Sequence, residues 1–246
     1  GALGPHLFVD MVSRHSGLIT DEWLPNLFNG FQDVAELFTR QGIKTTIVGG
    51  ETADVPNLVR TLDIMGTLYT DLRRDQVIDA SRMEPGDVII GFSSTGQAKW
   101  ETRPNSGIGS NGLTMAQHEL LTHVYSNRYP ESHAPDGDSG LNYCGRFMLE
   151  SALFGDERFT VGEALLSPTR TYAPLIRFLL QHMPVAHIHG LIHCTGGGQT
   201  KIRKFGRPGA PRGLRFVKDR LFPVPPIFAL IQAESKEAAA ALFADN

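Results

Sequence analysis

Leu24, Leu27, Phe28, Phe31, Val34, Ala35 and Phe38 recur at helical spacing and predict an amphipathic helix with one apolar face. Thr20 is placed to cap it, and Asp21 and Glu22 suit the positive end of its dipole. Pro25 moves the regular start towards Leu24, because proline fits best in a first turn. Gly42 is a natural stop. The β-branched run at 43–48 predicts a strand that ends abruptly at Gly49 and Gly50, leaving the following acids on a loop at the strand end. A second strand is expected over 61–69. After the turn chemistry of Pro85, Gly86 and Asp87, a short buried strand is expected over 88–92.

Further along, Leu113, Ala116, Leu120, Leu121 and Val124 form a helical stripe, and residues 129–145 read as an irregular surface excursion rich in Pro, Asp, Ser and Gly. Ser167, Pro168, Thr169 and Arg170 resemble a helix entry, with Tyr172, Leu175, Ile176, Leu179 and Leu180 as its buried face. Residues 186–194 predict a strand running into Thr195, Gly196, Gly197 and Gly198, and 207–213 a proline- and glycine-rich loop. Helix, strand, then glycines with an acid make this an α/β arrangement. A domain boundary is expected near Pro85, dividing the chain into 1–85 and 86–246.

Composition narrows the classes. A length of 246 residues with 41% hydrophobic and 20% charged side chains suits a globular chain with a real core. A formal net charge of -3 gives no whole-molecule attraction to nucleic acid or an anionic membrane. No apolar run reaches bilayer length and no signal-peptide pattern is present, so a cytoplasmic protein is expected. Cys144 and Cys194 read as reduced thiols, with a single disulfide in a secreted protein as the alternative.

Three glycine-bearing polar segments carry the candidate chemistry. In the first, Gly49 and Gly50 let backbone approach a ligand, and Glu51 and Asp54 are oxygen donors suited to Mg²⁺; the plain alternative is a tight turn with two solvated acids. In the second, Ser110, Asn111 and Gly112 open a helix, where they cap it and leave N–H groups for an anion. In the third, Gly196, Gly197 and Gly198 are difficult to explain as packing and better explained as a phosphate-cradling loop, although the Walker A pattern is absent. His187, His189, His193 and Cys194 could ligate zinc, but strand alternation would put Cys194 on the opposite face, and no second ligand motif accompanies them. The basic run from Lys201 to Arg220 has little aromatic interleaving, which fits a solvated loop or anion steering better than a nucleic-acid surface.

Taken in order, these segments resemble aminoimidazole ribonucleotide synthetase, the phosphoribosylformylglycinamidine cyclo-ligase family. The likeness is carried by Gly49-Gly50-Glu51-Thr52-Ala53-Asp54, Gly86-Asp87-Val88-Ile89-Ile90-Gly91, Ser93-Ser94-Thr95-Gly96, Ser110-Asn111-Gly112, Ser167-Pro168-Thr169-Arg170, His189-Gly190, His193-Cys194-Thr195-Gly196-Gly197-Gly198 and Pro225-Pro226-Ile227-Phe228. It implies a two-domain PurM-like α/β fold of the α+β type, whose N-terminal domains pair into a β-barrel across a homodimer axis beside a C-terminal α/β domain. It also implies ATP-dependent closure of the imidazole ring, with ATP and Mg²⁺ as the cofactors. Transferred by position, Gly49, Gly50, Glu51 and Thr52 face the nucleotide, with Glu51 and Asp54 at the metal. Ser110, Asn111, Gly112, His193, Thr195, Gly196, Gly197 and Gly198 hold the ribonucleotide, and His189 is the acid/base candidate.

The departures matter too. Gly109 stands where the family carries histidine, and residues 97–107 read as an insertion. The family's lysine-bearing N-terminal loop, aspartate strand and C-terminal Asn-Met-Gly segment have no counterpart here, so a fragment with part of the nucleotide site is expected. Alternatives are a selenophosphate synthetase, a thiamine-phosphate kinase, or a non-catalytic nucleotide-binding relative.

Overall fold

A computed structural model describes residues 3–137, 140–205 and 213–235. The expected 207–213 loop therefore lies outside the described residues except for Gly213. The elements in chain order are β1 (His6–Arg14), α1 (Leu24–Arg40), β2 (Thr45–Asp54), β3 (Leu62–Tyr69), β4 (Thr95–Gly96), β5 (Asn105–Ser106), α2 (Leu113–Leu120), α3 (Val124–Arg128), α4 (Val161–Leu165), α5 (Ala173–His182) and α6 (Pro226–Glu234). The structure is mixed α and β. It divides into two compact units, Gly1–Val77 with Thr171–Val185, and Ile78–Arg170 with Ala186–Asn246. No described helix is long and apolar enough to cross a membrane.

The first unit is built on a three-stranded sheet in the order β2-β1-β3, with β1 parallel to β2 and antiparallel to β3. Alternation divides β1 into two faces. His6, Phe8, Asp10 and Val12 turn towards α1, where Phe8 meets Phe31 edge-on at 5.6 Å and His6 meets Phe38 at 6.3 Å. Leu7, Val9 and Met11 turn the other way and are exposed, as are Met65 and Tyr69, which lie opposite Met11 and Leu7 on β3. Both faces of the sheet carry apolar residues: Phe8 and Val12 lie on the α1 side with Leu68 and Ile64 opposite them, and the outward side is left exposed.

Two expectations for this unit are corrected. The 49–54 segment is strand, not loop, because β1 runs beside it in register from Val9↔Gly49 to Arg14↔Asp54. The register slips between Phe8 and Val9, which leaves Val48 as the extra residue of a bulge. Thr20 does not cap α1. The N-cap is Trp23 without a side-chain hydrogen bond, and Pro25 occupies the first turn. The stop at Gly42 holds, with φ +75° and Ile43 N–H donating to the Phe38 carbonyl at 2.8 Å.

The second unit has its core around Leu120 (α2), Leu153, Val161 (α4), Ile227 and Ile231 (α6). A reciprocal capping box starts α4: Glu163 N–H donates to Thr160 Oγ1 and Thr160 N–H to Glu163 Oε2. The 129–145 excursion is only partly a surface feature. Tyr143 is buried at φ +53°, with its hydroxyl donating to Ser132, and a Cβ at Gly145 would collide with the backbone of Leu120. Residues 88–92 form no strand, and Val88 and Ile90 are 83% and 68% exposed; no described element covers them. Nor is 186–194 a strand. It holds the end of a 3₁₀ turn, Val185–His187, followed by irregular backbone tied down by side chains rather than by a ladder.

Candidate functional site

In the second unit, one arginine organises the loops that carry the predicted ligand groups. Arg170 donates from Nε and Nη2 to the two Glu101 oxygens at 2.7 and 2.8 Å. It also donates from Nη1 to the carbonyls of Ser93 (2.6 Å) and Thr95 (3.0 Å), and from Nη2 to that of Gly96 (2.8 Å). Its planar fork thus satisfies a carboxylate and three carbonyls together. Burial acts to raise the Glu101 pKa, but the Arg170 hydrogen bonds, the Ala98 N–H and the Arg170 charge outweigh it and hold the carboxyl below its ordinary value. The 97–107 insertion is therefore built in. Buried Asn105 donates to the Pro168 carbonyl at 2.7 Å, and buried Ser106 to that of Ala164 at 2.8 Å.

That scaffold leads directly to Ser110, Asn111 and Gly112. The expected capping by Ser110 and Asn111 side chains is not found: Gly112, at φ +76°, is the N-cap of α2. The reason lies across the loop. Asn111 Oδ1 instead accepts from Thr195 Oγ1 at 2.9 Å, and a Cβ at Gly196 would lie 2.9 Å from Asn111 Nδ2. The second and third glycine segments therefore meet, 84 positions apart in sequence. Gly197 and Gly198 are consecutive left-handed residues, at φ +90° and +46°, and only glycine adopts that pair without strain. Gly198 is buried, whereas His193 and Cys194 are exposed, and both cysteines are free thiols.

His189 lies in the same unit, within a different cluster. Its Nδ1 stands 2.9 and 3.0 Å from the two Asp87 oxygens, and Asp87 Oδ2 accepts from Glu84 N–H at 2.9 Å. Those two interactions, the Glu84 N–H first, hold the Asp87 carboxyl below its usual pKa. Ser81, Arg82, Met83, Glu84 and His189 line an open cavity of about 510 Å³. Among the described residues, Glu84, Asp87 and His189 are the one trio of His, Cys, Asp or Glu whose donor atoms all lie within 4.8 Å of each other. Asp87 was absent from the site read in the sequence. Its place in Pro-Gly-Asp reads as turn chemistry, and its partner lies 102 positions away.

In the first unit, Gly49, Gly50, Glu51, Thr52 and Asp54 lie along β2, an edge strand. Gly49 has open space where a Cβ would be; at Gly50 that space is taken by the Asp10 carboxylate from β1. Glu51 and Asp54 are three positions apart and stand on opposite faces of the strand. Asp54 accepts from Ser16 Oγ at 2.6 Å and Ser16 N at 3.0 Å, and these bonds lower its pKa.

No family model matches the chain. Among curated proteins it is similar to the phosphoribosylformylglycinamidine cyclo-ligase of Methanococcus vannielii, 30% identical over 195 residues, 78% of this chain and 44% of that protein. The protein of the same name from Pyrococcus furiosus is 35% identical over 163 residues, 66% of this chain and 37% of its own length. That from Methanosarcina mazei is 29% identical over 166 residues, 68% and 39% of the two chains. The chain is thus similar to phosphoribosylformylglycinamidine cyclo-ligases, and it spans less than half the length of the curated relatives it matches.

Proposed function

We propose that this protein acts in purine biosynthesis, closing the imidazole ring of aminoimidazole ribonucleotide from formylglycinamidine ribonucleotide and ATP. The observation that carries the reading is the meeting of Asn111 with Thr195 and Gly196, which joins two glycine-bearing loops into one corner; glycine-rich backbone of that kind suits an anion. Ser110, Gly112, Gly197 and Gly198 flank that contact and His193 is exposed beside it, so the 5′-phosphate is assigned there.

In the first unit, Gly49 and Thr52 on β2, an edge strand among the described residues, take the ATP side, with Gly50 serving the same strand by making room for Asp10. Mg²⁺ neutralises phosphate charge when bound. Glu51 and Asp54 are its candidate ligands, and alternation means that one ion meets one of them. Glu51 is the stronger candidate: its side chain is exposed and makes no hydrogen bond or ion pair among the described residues, whereas that of Asp54 is engaged by Ser16. In the reaction the formyl amide oxygen takes the γ-phosphoryl group and ADP departs. The amidine nitrogen then attacks the activated carbon, the C–O bond breaks, phosphate leaves with that oxygen, and the nitrogen loses a proton. His189 is assigned that proton. Positioning and charge neutralisation supply most of the rate in chemistry of this type.

The test is ADP release with and without formylglycinamidine ribonucleotide. Release is expected to require the ribonucleotide and to fall roughly 100-fold in His189→Ala, within the range for a general base. Ribonucleotide-independent release, or none from folded protein, would sink the reading; ribonucleotide binding without turnover would point to a binding-only relative.

A homodimer belongs to the same proposal. Leu7, Val9, Met11, Met65 and Tyr69 form an exposed apolar patch on a sheet whose other face is already occupied by α1, as a subunit interface requires. Met11→Lys is expected to convert a dimer of the 27.0 kDa chain into monomer, measured by light scattering after size exclusion. An unchanged mass would remove this face as the interface.

A further inference from the structure

The carboxylate beside His189 has no part in the reaction as assigned above, and its geometry gives it one. Both Asp87 oxygens lie within hydrogen-bond distance of a single imidazole nitrogen, Nδ1, at 2.9 and 3.0 Å. A carboxylate only accepts, so Nδ1 must carry the proton in this pair. In the neutral ring Nε2 then has the free lone pair. His189 also lines an open cavity, and its side chain is 28% exposed.

Asp87 is itself fixed. Glu84 N–H donates to its Oδ2 at 2.9 Å and Asp87 N–H donates back to the Glu84 carbonyl at 3.2 Å, closing a turn in which Gly86 adopts φ +100°. The histidine segment is held from its other side. Arg82 Nη2 donates to the Ile188 carbonyl at 3.2 Å, and a Cβ at Gly190 would collide with the end of the Met83 side chain. Residues 81–84 and 188–190 are therefore packed together with Asp87 at the join. Arg82 and Glu84, the other charged groups lining the cavity, oppose each other in sign.

We propose that Asp87 is the positioning residue of His189: it holds the imidazole in the Nδ1–H tautomer and presents Nε2 to the cavity as the proton acceptor. The inference rests on the acid/base reading of His189 for its consequence, but not for its geometry. Without Asp87, neutral imidazole in water favours the opposite tautomer, with the proton on Nε2, where it can no longer accept.

The experiment is long-range ¹H–¹⁵N correlation NMR on the ¹⁵N-labelled 246-residue chain, with the His189 signals identified by their loss in His189→Gln. At a pH where the ring is neutral, the wild type is expected to show protonated Nδ1 and bare Nε2, and Asp87→Ala to show the reverse or a mixture. Asp87→Asn keeps an acceptor for the Glu84 N–H, so it protects the turn while removing the charge. It is expected to lose the Nδ1–H preference with a melting temperature close to wild type. Carbethoxylation of His189, followed by mass spectrometry, reads the nucleophilicity of the bare nitrogen and is expected to slow several-fold in both variants. A purely structural Asp87 would move neither readout in the folded Asn variant. A His189 that keeps its tautomer and reactivity in Asp87→Asn overturns the inference. Failure of ribonucleotide-dependent ADP release, with these two readouts as expected, sinks the ring-closure reading and leaves the Asp87–His189 pair standing.

Discussion

Arg170→Ala is expected to destabilise the second unit by about 3–5 kcal/mol, the usual cost of breaking a buried ion pair from one side. Arg170 and Glu101 side chains are only 8% and 16% exposed, so the orphaned carboxylate cannot simply rehydrate. The carbonyls of Ser93, Thr95 and Gly96 lose their donor in the same stroke. Trp100 stands next to Glu101 and reports the change. In a Trp23→Phe background its fluorescence should follow urea unfolding of this unit alone, since the sequence has no third tryptophan. Removing both partners in Arg170→Met/Glu101→Gln should recover part of the loss, because no buried charge remains. Equal stability of Arg170→Ala and wild type would show that the pair does not hold the loop. The pair also fixes a sign for pH. The folded Glu101 pKa is depressed, so its contribution is fully present above the unfolded value and is lost as pH falls through the folded one. Glu101→Gln should therefore flatten the acid side of the stability profile.

What the sequence disclosed, and what it hid, follows from which contacts are local. The α1 stripe, the Gly42 stop and β3 depend on neighbours in sequence, and each is found where periodicity places it. Strand β1 is invisible to the same reading because its residues do not alternate cleanly between apolar and polar. His6, Phe8, Asp10 and Val12 occupy the face turned to the helix, mixing polar with apolar, while the apolar Leu7, Val9 and Met11 face outwards. Missing β1 also meant misplacing the 49–54 segment, since two glycines end a strand in isolation but continue one when a partner needs the space. Gly50 provides it for Asp10, and Gly66 for Phe8, whose ring would be 2.6 Å from a Cβ there. In the second unit the glycine loops were legible as ligand-facing segments. Their contact was not, because Asn111 reads as a helix cap until Thr195 is seen to claim its side chain. Asp87 was hidden for the same reason: turn chemistry explains an aspartate after Pro-Gly, and only the fold brings His189 to it.

Gly196→Ala separates ligand binding from folding at the point where the two loops meet. The backbone at 196 is not left-handed, so alanine is conformationally acceptable. Its added methyl would lie 2.9 Å from Asn111 Nδ2, the far end of a side chain that can swing aside. The fold should therefore survive, while Asn111 leaves Thr195 and the 2.9 Å hydrogen bond between them is lost. If the phosphate sits in that corner, the affinity for formylglycinamidine ribonucleotide should fall by about 10- to 100-fold, or ~1.4–2.7 kcal/mol, in isothermal titration. Gly197→Ala provides the contrast. At φ +90° a side chain is strained whatever the space, so it should lower the melting temperature as well as the affinity. Thr195→Val, which deletes the donor without adding bulk, should reproduce the binding loss of Gly196→Ala in part. Full affinity in both Gly196→Ala and Thr195→Val would move the phosphate away from this corner and leave the contact between the loops as architecture alone.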